Sequence, residues 1–443
     1  MSPGVKRVGV RARPASAGPT ASAAEAIAKI TPARAAAFEI LTLVGEGKGH
    51  SDELLHSART EELSSEDRNL ATALVMGVLR WEIALDARIS KLLARPDQRL
   101  AQPVALALRM GAFQLLHMDR IPAHAVLNES VEMCRAAGQP HAAGMVNAVL
   151  RKVAAAQKPG ARIFESPAAF AERLGHPLWL VERWVAAYGR DAALVICEYD
   201  QREPQSGGLF AETDVSAPQM DDGSRLVAEI AAAALPEGGA RVWDCCAAPG
   251  GKTLMLALRL GGAEILASDV SAKRLAQMSA RLRRYAYAER VRCVVAAASA
   301  DTRKDGLEGA FDLILCDVPC SGTGTLARNP EIRLRLKPEE FARQAARQRA
   351  ILSGALARLA PGGRLVYSTC SLEVEENERV IEAVPGVRRV SVEPLIARLA
   401  QSGVLRQDVA ANLLGSAVKD GALRTLPGVH GCDGFFAVVL ERG

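Results

Sequence analysis

The chain has 443 residues, a formal net charge of +5, nine cysteines and seven histidines. This length predicts two or three domains with full hydrophobic cores, and the small positive charge is compatible with a nucleic-acid partner without requiring one. There is no C-x-x-C pair, no metal-ligand spacing and no run of eighteen apolar residues. We therefore expect no metal, no secreted disulfide framework and no membrane span. We also expect the protein to be cytoplasmic and monomeric.

The N-terminal third divides into a tail and a helical region. Residues 1–31 are basic and lack a continuous apolar core, which predicts a disordered tail, with an organellar transit peptide as the alternative. Residues 32–156 predict an all-α domain, since apolar residues recur at three- and four-residue spacing. In "DRNLATALVMGVLRW" they are Leu70, Leu74, Val75, Val78 and Leu79.

The remainder predicts a connecting region and an α/β domain. Residues 157–223 favour a linker and a short helical subdomain around "HPLWLVERWVAAYG". From residue 224 to residue 443, short apolar strands alternate with helical segments, which predicts a parallel, doubly wound sheet. The final "DGFFAVVLERG" adds one more strand. In such sheets ligands bind beyond the carboxyl ends of the strands.

The stretch "DCCAAPGGKT", residues 244–253, ends like a phosphate-binding P-loop. A P-loop needs a glycine where this chain has Cys246, so the Gly-Lys-Thr ending is weak support for an NTPase. An apolar strand followed by Pro249, Gly250 and Gly251 and then by a helix is also typical of a strand-to-helix nucleotide-binding turn. The sequence at this point leaves both interpretations open.

Acidic residues follow three further strands. Asp269 stands seventeen residues after Lys252, where a carboxylate binds the ribose hydroxyls of a nucleoside. Asp301 is placed to meet an adenine edge, and Asp317 ends the fourth strand in "LCDVPCSGTG". For Asp269 and Asp301 a simple helix cap is the alternative.

Cys320 and Cys370 each follow a strand, in "DVPCSGTG" and "YSTCS", so neither continues an apolar face. Adjacent parallel strands would bring both thiols to one crevice. A disulfide is one alternative, but a reducing cytosol favours a nucleophilic thiolate. A nucleoside-type pocket beside such a thiolate fits methylation of a pyrimidine at carbon 5.

That reaction needs a thiolate because carbon 5 is a poor nucleophile. Addition of the thiolate at carbon 6 creates an enamine that attacks the methyl sulfonium of S-adenosylmethionine, and a base then removes the proton from carbon 5. Asp317, beside ring nitrogen 3 and the amino group, would favour the charge change during addition. The turn here is Asp-Val-Pro-Cys, whereas adenine amine methyltransferases present Asn/Asp-Pro-Pro-aromatic, so carbon is the expected acceptor.

Long motifs carry a family resemblance. "DCCAAPGGKT", "CDVPCSGTGTLARNPEIR", "YSTCSLEVEENERVI" and "DGFFAVVLER" resemble the RNA 5-methylcytosine methyltransferases. "EDRNLATALVMGVLRW", "HAVLNESVEMCR" and "GMVNAVLRKV" resemble the NusB-like domain fused in front of the RsmB/Sun branch. The resemblance implies an all-α NusB-like N-terminal domain and an α/β Rossmann-like methyltransferase domain that uses S-adenosylmethionine.

The same resemblance implies roles for individual residues. Cys370 is the nucleophile, Cys320 assists product release, and Asp317 also belongs to the cofactor site. The other residues that the resemblance places at S-adenosylmethionine are Cys246, Ala247, Ala248, Pro249, Gly250, Gly251, Lys252, Asp269, Arg274 and Asp301. The glycines then accommodate a methionine-bearing adenosine, and no triphosphate is expected.

The expected partner is RNA, first of all small-subunit ribosomal RNA. The alternatives are the same chemistry on tRNA and a non-catalytic RNA-binding, antitermination-like factor. Four cations after the fourth strand are candidates to contact phosphates beside a flipped cytosine, with a solvated charged loop as the alternative. They are Arg328, Arg333, Arg335 and Lys337. The NusB-like domain is expected to add further RNA contacts.

Overall fold

The computed structural model describes residues 25–156, 165–205, 207–211, 217–299, 307 and 309–443. Two compact units divide at residue 161. Asp301 and most of the predicted tail, residues 1–31, lie outside the described residues, so the predictions made for them remain predictions. Each unit is considered by itself below.

The first unit is helical, as the apolar spacing predicts. Proline in the first turn starts two of its helices, and the Ser64 side chain caps a third by accepting from the Asp67 N–H. The helices are α1 (Pro32–Gly45), α2 (Ser51–Leu55), α3 (Ala58–Glu61), α4 (Ser65–Ser90), α5 (Gln102–His117), α6 (Ala123–Ala136) and α7 (Ala143–Ala155).

The core of this unit lies between its long helices. Leu74, Val75 and Val78 of α4 are fully buried, which confirms the apolar face read from the sequence. A buried ion pair also joins three helices. Arg34 of α1 donates to Glu129 of α6 at 2.9 Å and to Gln114 of α5 at 2.7 Å. Since each of these buried polar groups has a partner, the cost of removing them from water is offset.

The second unit begins with three helices, α8 (Pro167–Arg173), α9 (Leu178–Tyr188) and α10 (Arg190–Tyr199). Their apolar faces pack against the loops that follow the fourth and fifth strands. Phe170, Leu180 and Trp184 share one core with Leu326 and Leu372. These helices therefore belong to the same compact unit as the sheet.

Nine strands of the described chain form one sheet. The strands are β1 (Arg241–Asp244), β2 (Glu264–Asp269), β3 (Val291–Val295), β4 (Phe311–Asp317), β5 (Leu359–Thr369), β6 (Val387–Val390), β7 (Val418–Lys419), β8 (Ala422–Arg424) and β9 (Phe436–Arg442). Their order is β3-β2-β1-β4-β5-β9-β8-β7, with β6 also paired to β9. The first five are parallel, whereas β9 runs antiparallel to β5.

Helices cover both faces of this sheet. Alternate strand residues supply the two cores: Val242, Leu313 and Leu315 face one layer, while Trp243 and Ile314 face the other. The helices are α11 (Asp222–Ala233), α12 (Gly251–Arg259), α13 (Ala272–Leu282), α14 (Ile332–Arg335), α15 (Glu339–Leu356), α16 (Glu378–Glu382), α17 (Glu393–Gln401) and α18 (Gln407–Ser416).

The predicted α/β domain and its C-terminal strand are confirmed. The chain leaves β1 for β2 on one side, and β4 lies on the other, so the order of strands reverses beside β1. Ligand sites of doubly wound sheets lie at such a reversal, beyond the carboxyl ends of the strands. In the part of the chain that the structure describes, no helix is both long and apolar enough to cross a membrane.

Candidate active site

The turn after β1 connects it to α12. Its backbone is fixed from two sides, because the Ala247 N–H donates to the Ser268 carbonyl at 2.9 Å and the Gly250 N–H donates to the Ala247 carbonyl at 2.7 Å. Gly250 has a φ of 97°, a conformation that favours glycine. A Cβ there would also lie 2.7 Å from Met278. Gly251 then begins α12, and the first N–H groups of a helix favour an anionic ligand.

The carboxyl end of β2 carries Asp269, which is only 5% exposed. One of its oxygens accepts from the Ser271 N–H at 2.9 Å, and the other lies 3.6 Å from the Arg274 guanidinium. The N-cap of α13 is Ser271, whose side chain accepts from the Arg274 N–H. Asp269 is therefore not the cap of this helix. Arg274 also donates to the Ala248 carbonyl at 2.6 Å, which ties the β2 end to the turn after β1.

The carboxyl end of β4 carries Asp317, which is held on both oxygens. Lys252 donates from Nζ to Oδ2 at 2.7 Å, and Ser368 donates from Oγ to Oδ1 at 2.8 Å. Burial alone would lower the pKa of Lys252, but the charge and hydrogen bond of Asp317, together with nearby Cys370 and Asp244, leave that pKa raised. The Cys370 sulfur contributes to the same rise. The Lys252 ammonium therefore stays charged between two groups that can carry negative charge.

The two predicted thiols meet. Cys320, after β4, and Cys370, after β5, have their sulfurs 3.3 Å apart. The hydrogen bond to Cys370 and burial raise the pKa of Cys320 well above its ordinary value. Cys320 therefore remains a protonated thiol that can donate to the Cys370 sulfur. All nine cysteines are free, so these two are not joined in a disulfide.

Most of the predicted residues line one cleft beyond the strand ends. Those that line it are Cys246, Ala248, Asp269, Arg274, Asp317, Cys320 and Cys370. The turn containing Ala247, Pro249, Gly250 and Gly251 lies beside it, and Lys252 reaches it through Asp317. The cleft also has walls that we did not predict, namely Cys245, Val270, Ala298, Ser299, Val318, Pro319, Arg347 and Ile351.

These unpredicted walls are mostly small or apolar, and nothing in their sequence pattern distinguishes them from core residues. The signal that was available is positional, because Val270 and Val318 directly follow strand ends that had been identified. Arg347 comes from the middle of α15, so only the packing of that helix shows that it faces the cleft. Within the described residues no group of His, Cys, Asp and Glu side chains could hold a metal ion.

A close backbone contact connects the thiol loops to β9. The Gly324 N–H donates to the Cys370 carbonyl at 2.9 Å, and the Gly434 N–H donates to the Gly324 carbonyl at 2.7 Å. A Cβ on Gly324 would lie 2.2 Å from the Gly434 oxygen. That oxygen belongs to the backbone, so it cannot move aside without displacing the strand.

We therefore expect Gly324→Ala to destabilise the second unit by about 1–3 kcal/mol and to lower catalytic activity, because the loop between the thiols must shift. Thermal unfolding measures the first effect. The control is Gly415→Ala in α18, where a Cβ meets nothing within 4 Å and a helical alanine is favourable. Equal midpoints for the two variants would contradict this close contact.

Asp244, at the end of β1, is a buried carboxyl whose pKa rises to about 7 because of burial, although the 2.7 Å hydrogen bond from Thr253 opposes the rise. An acid whose pKa is higher in the folded state binds more protons there than in the unfolded chain. Its contribution to stability is full below its ordinary pKa of 3.8 and is lost as the pH rises through about 7.

Asp244→Asn should remove this pH dependence, since asparagine resembles the neutral acid. The free energy of unfolding of the variant relative to the wild type should increase between pH 5 and pH 8 by about 2 kcal/mol. Denaturant unfolding at the two pH values measures it. The pKa of Asp433 also rises to about 7 through burial and the charge of Asp221. Its pH-dependent contribution to stability is the same in both proteins and cancels in the difference. A difference that does not vary with pH would contradict the assignment.

The structure corrects the prediction made for the basic residues after β4. Arg333 is 2% exposed and donates to backbone carbonyls of Gly175, Asp200 and Leu326, so it cannot reach a phosphate. Arg328 binds Asp433 at 2.9 Å and Asp221 at 3.0 Å. Both are structural cations, because carboxylates and carbonyls inside the fold satisfy them. Arg335 and Lys337 are exposed and remain candidates for phosphate contact.

Fold and site together define a class of protein. A doubly wound sheet with a glycine turn, an acid after β2 and apolar walls after β3 and β4 suits an adenosine that carries a methionine. The turn presents a helix N-terminus, which suits a carboxylate, and Asp269 presents an acceptor, which suits hydroxyl groups. These are the features of an S-adenosylmethionine-dependent methyltransferase.

Comparisons with known proteins give the family. Residues 231–441 match the 16S rRNA methyltransferase RsmB/F model, and residues 31–155 match the NusB family. The chain is 31% identical to a probable ribosomal RNA small subunit methyltransferase B of Bacillus subtilis (strain 168), over 94% of this chain and 99% of that relative. It is 33% identical to a ribosomal RNA small subunit methyltransferase B of Xanthomonas campestris pv. campestris, over 95% and 99%.

The fold also has a solved counterpart. The crystal structure of PH0851 matches 93% of this chain and 99% of its own, with a TM-score of 0.66 and 21% identity, which supports the fold alone. The chain thus belongs to the RsmB/F methyltransferase family, with a NusB domain in front. This confirms the family resemblance, the two-part fold and S-adenosylmethionine as cofactor.

Proposed function

We propose that this protein methylates carbon 5 of a cytidine in small-subunit ribosomal RNA through a covalent bond between Cys370 and the base. The observation that carries the proposal is the pair of thiols, 3.3 Å apart at the ends of β4 and β5, in the wall of the cofactor cleft. A nucleophile beside a methyl donor is what carbon-5 methylation requires.

The reaction begins at Cys370. Its thiolate adds to carbon 6 of the cytosine, and the electrons of the 5,6 double bond then make carbon 5 nucleophilic. S-adenosylmethionine supplies the methyl group as a sulfonium that carbon 5 attacks. The charge of Lys252, whose pKa is raised in part by the Cys370 sulfur, attracts the thiolate. Cys320 keeps its proton, so it does not compete as a nucleophile.

Asp317 acts on the other side of the base. Its carboxylate is oriented by Lys252 and Ser368, and we propose that it receives a hydrogen bond from the amino group of the cytosine and favours protonation at nitrogen 3. This would stabilise the charge that develops as the thiolate adds. After methyl transfer a base from solvent takes the proton from carbon 5, the electrons of that C–H bond restore the 5,6 double bond, and the bond from carbon 6 to the Cys370 sulfur breaks. The Cys320 thiol, 3.3 Å from that sulfur, assists its departure.

The cofactor site uses the turn after β1 together with Asp269 and Arg274. An adenosine that carries a methionine suits this site better than a triphosphate, because Asp317 binds the Lys252 ammonium that a P-loop lysine would offer to a phosphate. Asp301, which was predicted to meet the adenine edge, lies outside the described residues. The enzyme is proposed to work in the cytoplasm, where its RNA is found.

The names of the relatives favour small-subunit ribosomal RNA as the target. The NusB domain, residues 31–155, is proposed to add contacts to single-stranded or looped RNA. Methylation of a tRNA by the same chemistry remains the second candidate. The adjoining thiols in the cleft argue against a non-catalytic RNA-binding factor, because such a protein has no need of them.

Bisulfite sequencing of total RNA from a strain without this protein, beside its parent, tests the proposal. Loss of protection at one cytidine of small-subunit ribosomal RNA is the expected result. Loss in a tRNA instead would keep the chemistry and change the target. If protection is lost nowhere, the proposed methylation of cytosine is wrong.

A further inference from the structure

A buried carboxylate lies behind the two thiols and joins the loops that carry them. Glu376 is fully buried. Its Oε1 accepts from the Ser321 N–H at 2.9 Å, and its Oε2 accepts from the Ser371 hydroxyl at 2.5 Å and from the Ser321 hydroxyl. Ser321 directly follows Cys320, and Ser371 directly follows Cys370. One side chain therefore holds the neighbours of both cysteines.

A third element fixes this carboxylate. Gln348, buried on α15, donates to Glu376 Oε1 at 3.0 Å and to the Pro319 carbonyl at 2.9 Å. The two serine hydroxyls also lie 3.1 Å apart. Ser321, Ser371 and Gln348 are all neutral donors, so hydrogen-bond geometry rather than an ion pair sets the position of Glu376.

This arrangement bears on the separation of the sulfurs. Cys320 and Cys370 lie in the loops that follow β4 and β5, and each must act on a different atom of the same base. A loop that moved by one ångström would misplace its thiol, and such errors cost about 100-fold in rate. Glu376 is buried whereas both thiols line the cleft, so it acts on the reaction through the loops.

We propose that Glu376 is a positioning residue that sets the relative placement of the two thiols. The inference deepens the proposed function and rests on it for the roles of Cys370 and Cys320. Through Ser371 it aligns the nucleophile, and through Ser321 it aligns the thiol that assists release. Ser321→Ala and Ser371→Ala each remove one half of this connection.

The test uses the full chain with Glu376→Gln, Ser321→Ala and Ser371→Ala. We expect Glu376→Gln to lower kcat about 100-fold while KM for S-adenosylmethionine changes less than about twofold, because the cofactor residues are untouched. Ser371→Ala should slow formation of the covalent RNA adduct. Ser321→Ala should slow its release, so that adduct accumulates. A structural role alone would not separate the two steps.

The inference is overturned if Glu376→Gln retains the kcat and adduct rates of the wild type. It is also overturned if each serine variant loses activity only in proportion to its loss of folded protein. If Glu376→Gln fails to fold, the two serine variants decide by themselves whether the loops are set separately. Circular dichroism and cofactor binding establish which variants are folded.

A second measurement does not depend on RNA. Alkylation by iodoacetamide, followed by mass spectrometry of each cysteine, should be about threefold faster or more at Cys320 in Glu376→Gln, because its loop loosens and a nearby negative charge is removed. Unchanged alkylation at both cysteines would overturn the positioning role even if the wild type methylates no cytosine. If the wild type methylates no cytosine but alkylation still changes in Glu376→Gln, only the proposed function is refuted.

Discussion

Cys370→Ala is expected to abolish both methyl transfer and the covalent RNA adduct, whereas Cys320→Ala is expected to accumulate an adduct that is not released. The loss in Cys370→Ala should be roughly 10⁴-fold or more, as for the removal of other enzymatic nucleophiles. The two variants differ because Cys370 forms the bond to the base and Cys320, 3.3 Å away, assists only after methyl transfer.

The measurement is denaturing gel electrophoresis of the variant protein with labelled RNA and S-adenosylmethionine, together with incorporation of labelled methyl groups. Cys293→Ala is the control. Cys293 is a half-buried free cysteine on β3 and should leave both measurements unchanged. An adduct that persists in Cys370→Ala and disappears in Cys320→Ala would show that the roles of the two thiols are reversed.

The positions of the thiols could be predicted because the topology fixes them. Cys320 and Cys370 follow β4 and β5, and these strands are paired and parallel, so both residues had to reach one edge of the sheet. The same topology predicts that Asp269 and Asp317, which end β2 and β4, lie at this edge of the sheet. Residues that directly follow strands are therefore the part of a doubly wound site that is accessible from sequence.

Residues that meet across loops could not be predicted in this way. Glu376 stands in "LEVEENE" among other acids, and only the fold shows that it contacts the neighbours of both cysteines. Arg333 was misjudged for the converse reason, because a charged residue in a basic stretch is usually exposed. Its side chain is instead enclosed by carbonyls of three separate segments.

The helices α8 to α10 illustrate a similar limit. The sequence predicts a short helical subdomain around "HPLWLVERWVAAYG", and α9 lies there, between α8 and α10. What that prediction does not show is that the helices pack on the catalytic loops: Trp184 donates to Glu373 at 3.1 Å, and Arg183 binds Glu373 and Glu375 at 2.8 Å each. These contacts join residues about 190 positions apart in the chain, beyond the reach of any local pattern.

The second large effect is expected at Asp317 and Lys252. Asp317→Asn should lower kcat about 10²–10³-fold, the range found when one donor or charge of a developing anion site is removed. Two losses combine. The cytosine loses the carboxylate that accepts from its amino group and favours protonation at nitrogen 3. Lys252, which lies 2.7 Å from Asp317 with little exposure, keeps a buried charge with its main partner gone.

A double-mutant cycle separates these two losses. If Asp317 serves mainly to neutralise Lys252, then Asp317→Asn should cost little further activity in the Lys252→Met background, since no unpaired charge would remain. If Asp317 acts on the cytosine itself, as we propose, Asp317→Asn should lower activity in the Lys252→Met background about as much as it does in the wild type. Cofactor affinity measured by calorimetry for all four proteins shows how much of each loss lies in binding rather than in the chemical step.

The expected result follows from the geometry of the carboxylate. Lys252 and Ser368 each bind one oxygen of Asp317, and each carboxylate oxygen has a second acceptor position, so both oxygens remain able to accept from a base that enters the cleft. Lys252 therefore orients the carboxylate and leaves acceptor positions on it for the base. A double variant as active as Lys252→Met alone would show that Asp317 is only a counter-ion, and the charge change on the cytosine would then require another group.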